Sequence, residues 1–175
     1  MTNSKKIVLS AMFISIGVIL PICFHSIPGA GGVLLPMHIP VLMCGLLLGA
    51  PYGLICGILT PLLSSLLTGM PPMAVLPGMM IELAVYGSVS GLTSHFLKID
   101  NELLRLYAAL LSAMLLGRIA GGAVNALIFR AGDYSMQIWM STYFVTGLPG
   151  IVIQLGAIPS IVATMRKAKL VALPG

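Results

Sequence analysis

Residues 37–72 read MHIPVLMCGLLLGAPYGLICGILTPLLSSLLTGMPP and contain no Lys, Arg, Asp or Glu. As one straight helix the run would extend roughly 50 Å, too long for a hydrocarbon core of about 30 Å. Its middle, Gly49-Ala50-Pro51-Tyr52-Gly53, supplies a break, because proline lacks an amide donor and glycine allows a tight reversal. The stretch predicts two short membrane-crossing helices joined by a very short turn, the second ending at Gly69-Met70-Pro71-Pro72. In water such a hairpin would have nothing to bury against; in lipid it is a compact wall for whatever lies beside it.

The totals point the same way. Of 175 residues, 58% are hydrophobic and 7% charged, against about 25% charged in a soluble domain. The mean hydropathy is +1.09, and no charged residue occurs between Ile7 and Ile81. At roughly 20 residues per span plus short turns, the length fits about six helices. Residues 1–175 are therefore expected to form a single all-α integral membrane domain. Membrane β-barrels alternate apolar and polar residues, whereas these runs are continuously apolar. The net charge of +5 is explained by basic loops that set orientation, so no nucleic-acid partner is expected. Cys23, Cys44 and Cys56 match no metal or redox spacing and read as small packing residues.

Lys5 and Lys6 precede an apolar run over residues 7–24. A basic start before an apolar run also describes a signal peptide, but this run is long for one and Pro28-Gly29-Ala30 is a poor cleavage site. It is expected to remain as the first helix. Residues 25–36 (HSIPGAGGVLLP) form a Gly/Pro-rich loop, long for a helix connection and able to fold back over a pocket. After the hairpin, a fourth helix begins near Met73 or Pro77 and runs to about Phe96. A charged loop follows over residues 95–105. The fifth helix covers about residues 103–129, a second long connection residues 130–140, and the sixth helix about residues 141–164.

With the amino terminus inside, Lys5, Lys6, Lys98, Arg105, Arg166, Lys167 and Lys169 all fall on the cytoplasmic side and only Arg130 outside. Both termini are therefore expected in the cytoplasm. The loop 25–36, the turn 69–72 and the connection 130–140 then share the outer face. No internal repeat marks an inverted-repeat carrier.

Glu82 and Arg118 are the ionisable pair set well inside expected spans. Either one alone in lipid is costly, so each should face the protein and mark a site by default. Tyr86 lies one turn from Glu82, Asn125 lies on the Arg118 face of the fifth helix, and Gln154 lies inside the sixth. Together these line an expected polar pocket opening outwards; the competing account is a Glu82–Arg118 pair that only fixes packing. Arg118 favours an anionic ligand held bidentately. His38 and His25 sit on one rim without a third ligand, so no metal site is expected. Trp139, Tyr134 and Tyr143 suit an interfacial belt or stacking on a ligand.

Enzyme chemistry finds no footing. There is no HExxH and no phosphate-cradling G-x-x-x-x-G-K, so any ATP use belongs to another chain. Gly87-Ser88-Val89-Ser90-Gly91 misses the G-x-S-x-G spacing and reads as small residues on a packed helix.

With these residues in view, the chain resembles the substrate-binding S component of an energy-coupling factor (ECF) vitamin transporter over nearly its whole length. The resemblance is carried by HIPVLMCGLLLGAPYGLICGILTPLLSSLLTG, with Pro40, Gly45, Gly49, Gly53 and Gly57 in the family's style. That family docks through an Ala-x-x-x-Ala on its first helix; here the position reads Ala11-Met12-Phe13-Ile14-Ser15, with serine in the second place. The resemblance implies vitamin capture at the outer face of a bacterial cell membrane. It implies docking through Ala11 and Ser15 on a transmembrane coupling subunit bearing two cytoplasmic ATPases, and release inside. It also implies ligand contacts on the outer parts of the fourth to sixth helices and the first loop. The expected ligand residues are Glu82, Arg118, Asn125 and Gln154, with Tyr86, His38 and Trp139 secondary. Pantothenate fits Arg118 best; pyridoxine, a thiamine precursor, folate and cobalamin remain open. The alternative is a stand-alone carrier or channel for a small polar solute; an intramembrane enzyme or structural assembly subunit is the third reading.

Overall fold

The computed structural model describes residues 1–24, 27, 29–97, 99–129 and 135–167. His25, Lys98, Arg130, Asp133, Tyr134 and Lys169 lie outside the described residues. The elements are α-helical in order: α1 (Asn3–Cys23), α2 (Ala30–Leu34), α3 (His38–Leu48), α4 (Ala50–Thr68), α5 (Leu76–Phe96) and α6 (Glu102–Val124). Helix α6 widens into a π-helical turn, Asn125–Phe129. Then come α7 (Met136–Met140), a second π-helical turn (Ser141–Thr146), and α8 (Leu148–Lys167).

The hairpin is present. Helices α3 and α4 meet at Gly49 alone, whose φ of 99° belongs to glycine. One expectation needs correcting: α3 has 11 residues, about 16 Å, and cannot cross by itself. The apolar span is completed by α2 and its turn, so Gly31–Leu48 together is long enough to cross. The expected loop 25–36 thus contains a helix. Its Val33 and Leu34 carbonyls pack on Gly150 of α8, within 3 Å of where a Cβ would stand. The second connection also ends in helix, because the Ser135 hydroxyl caps α7 by accepting the Ile138 N–H at 3.2 Å. The last long helix consequently starts at Leu148, later than the sequence predicts.

Among the described residues five stretches are long and apolar enough to cross a membrane: Asn3–Cys23, Gly31–Leu48, Ala50–Thr68, Glu102–Leu127 and Leu148–Met165. The remaining expected span, α5, has 21 residues but is diluted by Glu82, Tyr86, His95 and several serines and glycines. Those groups are tolerated because α5 sits between α3, α4 and α6. Its Glu82, Tyr86, Gly87, Ser90, Gly91 and Ser94 are buried. Helix α1 packs on α3 and α4, and α8 on α2, α3 and α6.

Main chain meets main chain at the centre. A Cβ on Gly45 of α3 or on Gly53 of α4 would overlap the carbonyl of Gly87 on α5. A Cβ on Gly57 would overlap the Leu83 carbonyl. Lipid gives apolar helices little drive to associate, so close van der Waals approach through small residues holds this trio together. The Gly87–Gly91 segment is thus packing surface, as its spacing predicts. Ser90 adds a hydrogen bond to the Leu42 carbonyl at 3.3 Å. The α4–α5 turn is pinned by Ser64 and Ser65, which donate to the Met70 and Pro71 carbonyls at 2.7 and 2.8 Å. Outward faces carry Ile7, Met12, Leu67, Leu111 and Val152, all exposed, as suits a multi-pass membrane protein.

Candidate functional site

The buried side chains of His38, Glu82, Arg118 and Gln154 are gathered in one place. Arg118, on α6, is 2% exposed and reaches across to α5, where its Nε donates to the Tyr86 hydroxyl at 2.8 Å. Its Nη1 donates to the Tyr143 carbonyl in the second π-helical turn. The guanidinium carbon stands 5.4 Å from the centre of the Phe144 ring, a cation–π distance. The Tyr143 hydroxyl accepts from Asn125 Nδ2 at 2.9 Å. Trp139 Nε1 donates to the Arg118 carbonyl at 3.1 Å, which lays the indole against α6.

A second branch starts from Tyr86, which is fully buried. The His38 ring stands edge-on to it with centroids 5.2 Å apart. His38 Nε2 is 3.7 Å from Glu82 Oε1, an ion-pair distance. Among the described residues no ion pair joins Glu82 to Arg118: the acid faces α3 and the base faces the π-helical turn. The two are nevertheless linked through Tyr86. The Leu35 carbonyl accepts from the His38 backbone N–H at 3.1 Å and from Gln154 Nε2 at 3.4 Å, which brings α8 to the same point.

Small residues make the assembly possible. A Cβ on Gly117 would overlap the Tyr86 ring, and one on Gly122 would overlap the Trp139 indole. Gly121 lets Glu82 and Tyr143 approach, each about 3.1 Å from where its Cβ would be. The chain's run Gly117-Arg118-x-x-Gly121-Gly122 is therefore a helix face cleared for neighbours.

All seven ligand residues expected from the sequence fall in this cluster or on its edge. The expectation of an outward-opening pocket meets a closed arrangement instead: Tyr86, His38, Arg118 and Gln154 are essentially inaccessible. His38 borders a cavity of about 230 Å³ under α2, and Trp139 borders one of about 330 Å³ between α6 and α7. A larger cavity, about 490 Å³, lies at the opposite end near Lys6, Tyr52 and His95 and takes no part in the cluster.

Sequence reasoning missed one member and the use made of another. Leu35 contributes only its carbonyl, in a left-handed backbone with φ 50°, the one positive φ outside glycine among the described residues. Such conformations are disfavoured for bulky residues and concentrate at functional sites. Tyr143 was placed in a belt or against a ligand, yet it serves Arg118 through its carbonyl. That use depends on the π-helical turn, for which the sequence carries no signal.

Ala11 and Ser15 stand apart from the cluster. Both are exposed on α1, while Phe13 and Gly17 point inward. The Ser15 hydroxyl donates to the Ala11 carbonyl at 2.9 Å, so the serine presents a small face with no unpaired donor. Among the described residues no group of three or more His, Cys, Asp or Glu is placed to hold a metal.

A family model described as ECF transporter, substrate-specific component, matches residues 5–162. No curated protein and no solved structure matches the chain.

Proposed function

Because the chain belongs to the substrate-specific components of ECF transporters, we propose that it captures a small water-soluble vitamin or vitamin precursor from the outer face of a bacterial plasma membrane. Both termini lie in the cytoplasm in this reading. The capture step needs no catalysis; energy comes from ATP used by two cytoplasmic ATPases carried on a transmembrane coupling subunit. Docking runs through the small exposed face at Ala11 and Ser15, and release inside follows.

The observation that carries the reading is the polar cluster on α3, α5, α6 and α8, joining Glu82, His38, Tyr86, Arg118, Asn125 and Gln154. Burying this many polar groups in lipid destabilises a bundle unless they are paired or serve a function. A cluster built only to glue helices would satisfy all its members. This one leaves His38 and Gln154 with buried polar atoms that lack a hydrogen-bond partner.

The test is binding of labelled water-soluble vitamins to the purified full chain in nanodiscs, with Arg118→Ala and Gln154→Ala beside the wild type. Saturable binding weakened by these substitutions is the expected result. A folded protein that binds none of them, or binds one indifferently to every cluster substitution, overturns the reading. Uptake into liposomes by the chain alone, without coupling subunit or ATPases, would favour a stand-alone carrier instead.

A further inference from the structure

We infer that this site selects a ligand bearing N–H donors, such as an ammonium, amidine or amino-substituted heterocycle, on an otherwise apolar body. The inference rests on the reading of the cluster as the substrate site and adds the chemistry it recognises.

The unspent hydrogen-bonding capacity is the starting point. His38 Nδ1 and Nε2 and Gln154 Oε1 are buried with no hydrogen-bond partner, in side chains that are 1% and 0% exposed. Buried polar atoms without partners are uncommon, and each calls for an explanation. An amide oxygen only accepts, an ionised carboxylate only accepts, and a neutral imidazole has one nitrogen that accepts and one that donates. Glu82 adds its carboxylate, whose Oε1 lies 3.7 Å from His38 Nε2, beyond ordinary hydrogen-bond reach. The partnerless atoms, with the Glu82 carboxylate beside them, are therefore mainly acceptors.

Arg118 is already partly engaged. Arg118 donates to the Tyr86 hydroxyl and to the Tyr143 carbonyl, and its flat face lies near Phe144. Two of the five guanidinium N–H donors on which an anion held by Arg118 would draw are thus spent on the protein itself. Position supports the same conclusion. The Leu35 carbonyl joins the His38 backbone N–H to the Gln154 side chain, and Glu82 stands beside the His38 ring, so the residues that carry the acceptors meet from α3, α5 and α8. Of these, His38 borders the cavity of about 230 Å³, with Gly31, Leu35, Pro36, Pro71 and Met79 around it. Its walls suit an apolar ring, with His38 as the polar group on its border.

A charge-sorted panel tests the inference on the purified full chain in nanodiscs. Thiamine and pyridoxamine carry amino groups; pantothenate, biotin and nicotinate carry carboxylates without an ammonium. Expected is binding of an amino-bearing member in preference to the carboxylates. Glu82→Gln, which keeps size but removes the charge, should weaken it roughly ten- to hundredfold, as loss of a charged hydrogen-bond partner does. Gln154→Met should cost about three- to tenfold and keeps the experiment decisive if Glu82→Gln fails to fold. Preferred binding of a carboxylate, weakened by Arg118→Lys and not by Glu82→Gln, overturns the donor inference and leaves the transporter reading standing. A folded protein that binds no member of either group overturns both.

Discussion

Arg118 and Tyr86 are 32 residues apart in sequence and 2.8 Å apart in space, the guanidinium Nε donating to the phenol across the α5–α6 interface. Both are fully enclosed, so neither can turn to water if the other is removed. Tyr86→Phe leaves a buried donor unpaired and should destabilise the protein by about 1–3 kcal/mol, visible as a lower melting temperature in nanodiscs. An unchanged melting curve would mean that the Tyr143 carbonyl alone suffices to hold Arg118.

The main-chain contact between α3, α4 and α5 yields a paired prediction. Gly87→Ala must push two helices apart and should cost roughly 1–3 kcal/mol or more. Gly156→Ala, on the exposed face of α8 with open space around its would-be Cβ, should be within about 1 kcal/mol of wild type and on the stabilising side. Thermal or denaturant unfolding of the two variants side by side measures the difference. Equal behaviour would show that the central glycines are not what sets helix spacing.

Ala11→Trp and Ser15→Trp place a bulky ring on the exposed face of α1, remote from the cluster. With coupling subunit and ATPases present, uptake should be lost while binding by the isolated chain persists. Loss of binding in the isolated chain would instead mark these positions as internal packing.

Trp139 is the sole tryptophan. Its indole bonds to the Arg118 carbonyl and meets the Phe144 ring edge-on at 5.1 Å. Ligand entry that shifts Arg118 should change tryptophan emission, and Trp139→Phe should abolish the change. A ligand that binds by an independent assay yet leaves emission untouched would place it away from this branch of the cluster.

Much of this architecture can be read from charge and glycine alone. Lipid penalises charge so heavily that Glu82 and Arg118 stand out as residues with a reason to be there, and Gly49 beside Pro51 announces a reversal. The glycines at 45, 53, 57 and 87 likewise betray close packing. What stayed hidden depends on partners distant in sequence and on main-chain geometry. His38 shows no partner in the sequence until α5 brings Glu82 to it. Helix α2 looks like loop because its two glycines disfavour helix, and only packing on α8 holds it. Opposite charge offers a Glu82–Arg118 pair as the competing account; in the structure Arg118 bonds to Tyr86 and Tyr143 while Glu82 stands beside His38.

The three backbones that touch at Gly87 have a mechanical consequence. Without a layer of side chains there to slide or repack, α3, α4 and α5 can only travel together, like a keel. His38, Glu82 and Tyr86 ride on that keel, whereas Arg118, Tyr143 and Gln154 belong to the opposite flank. The recognition groups thus straddle a seam, and any tilt of the keel against the flank must part or close them.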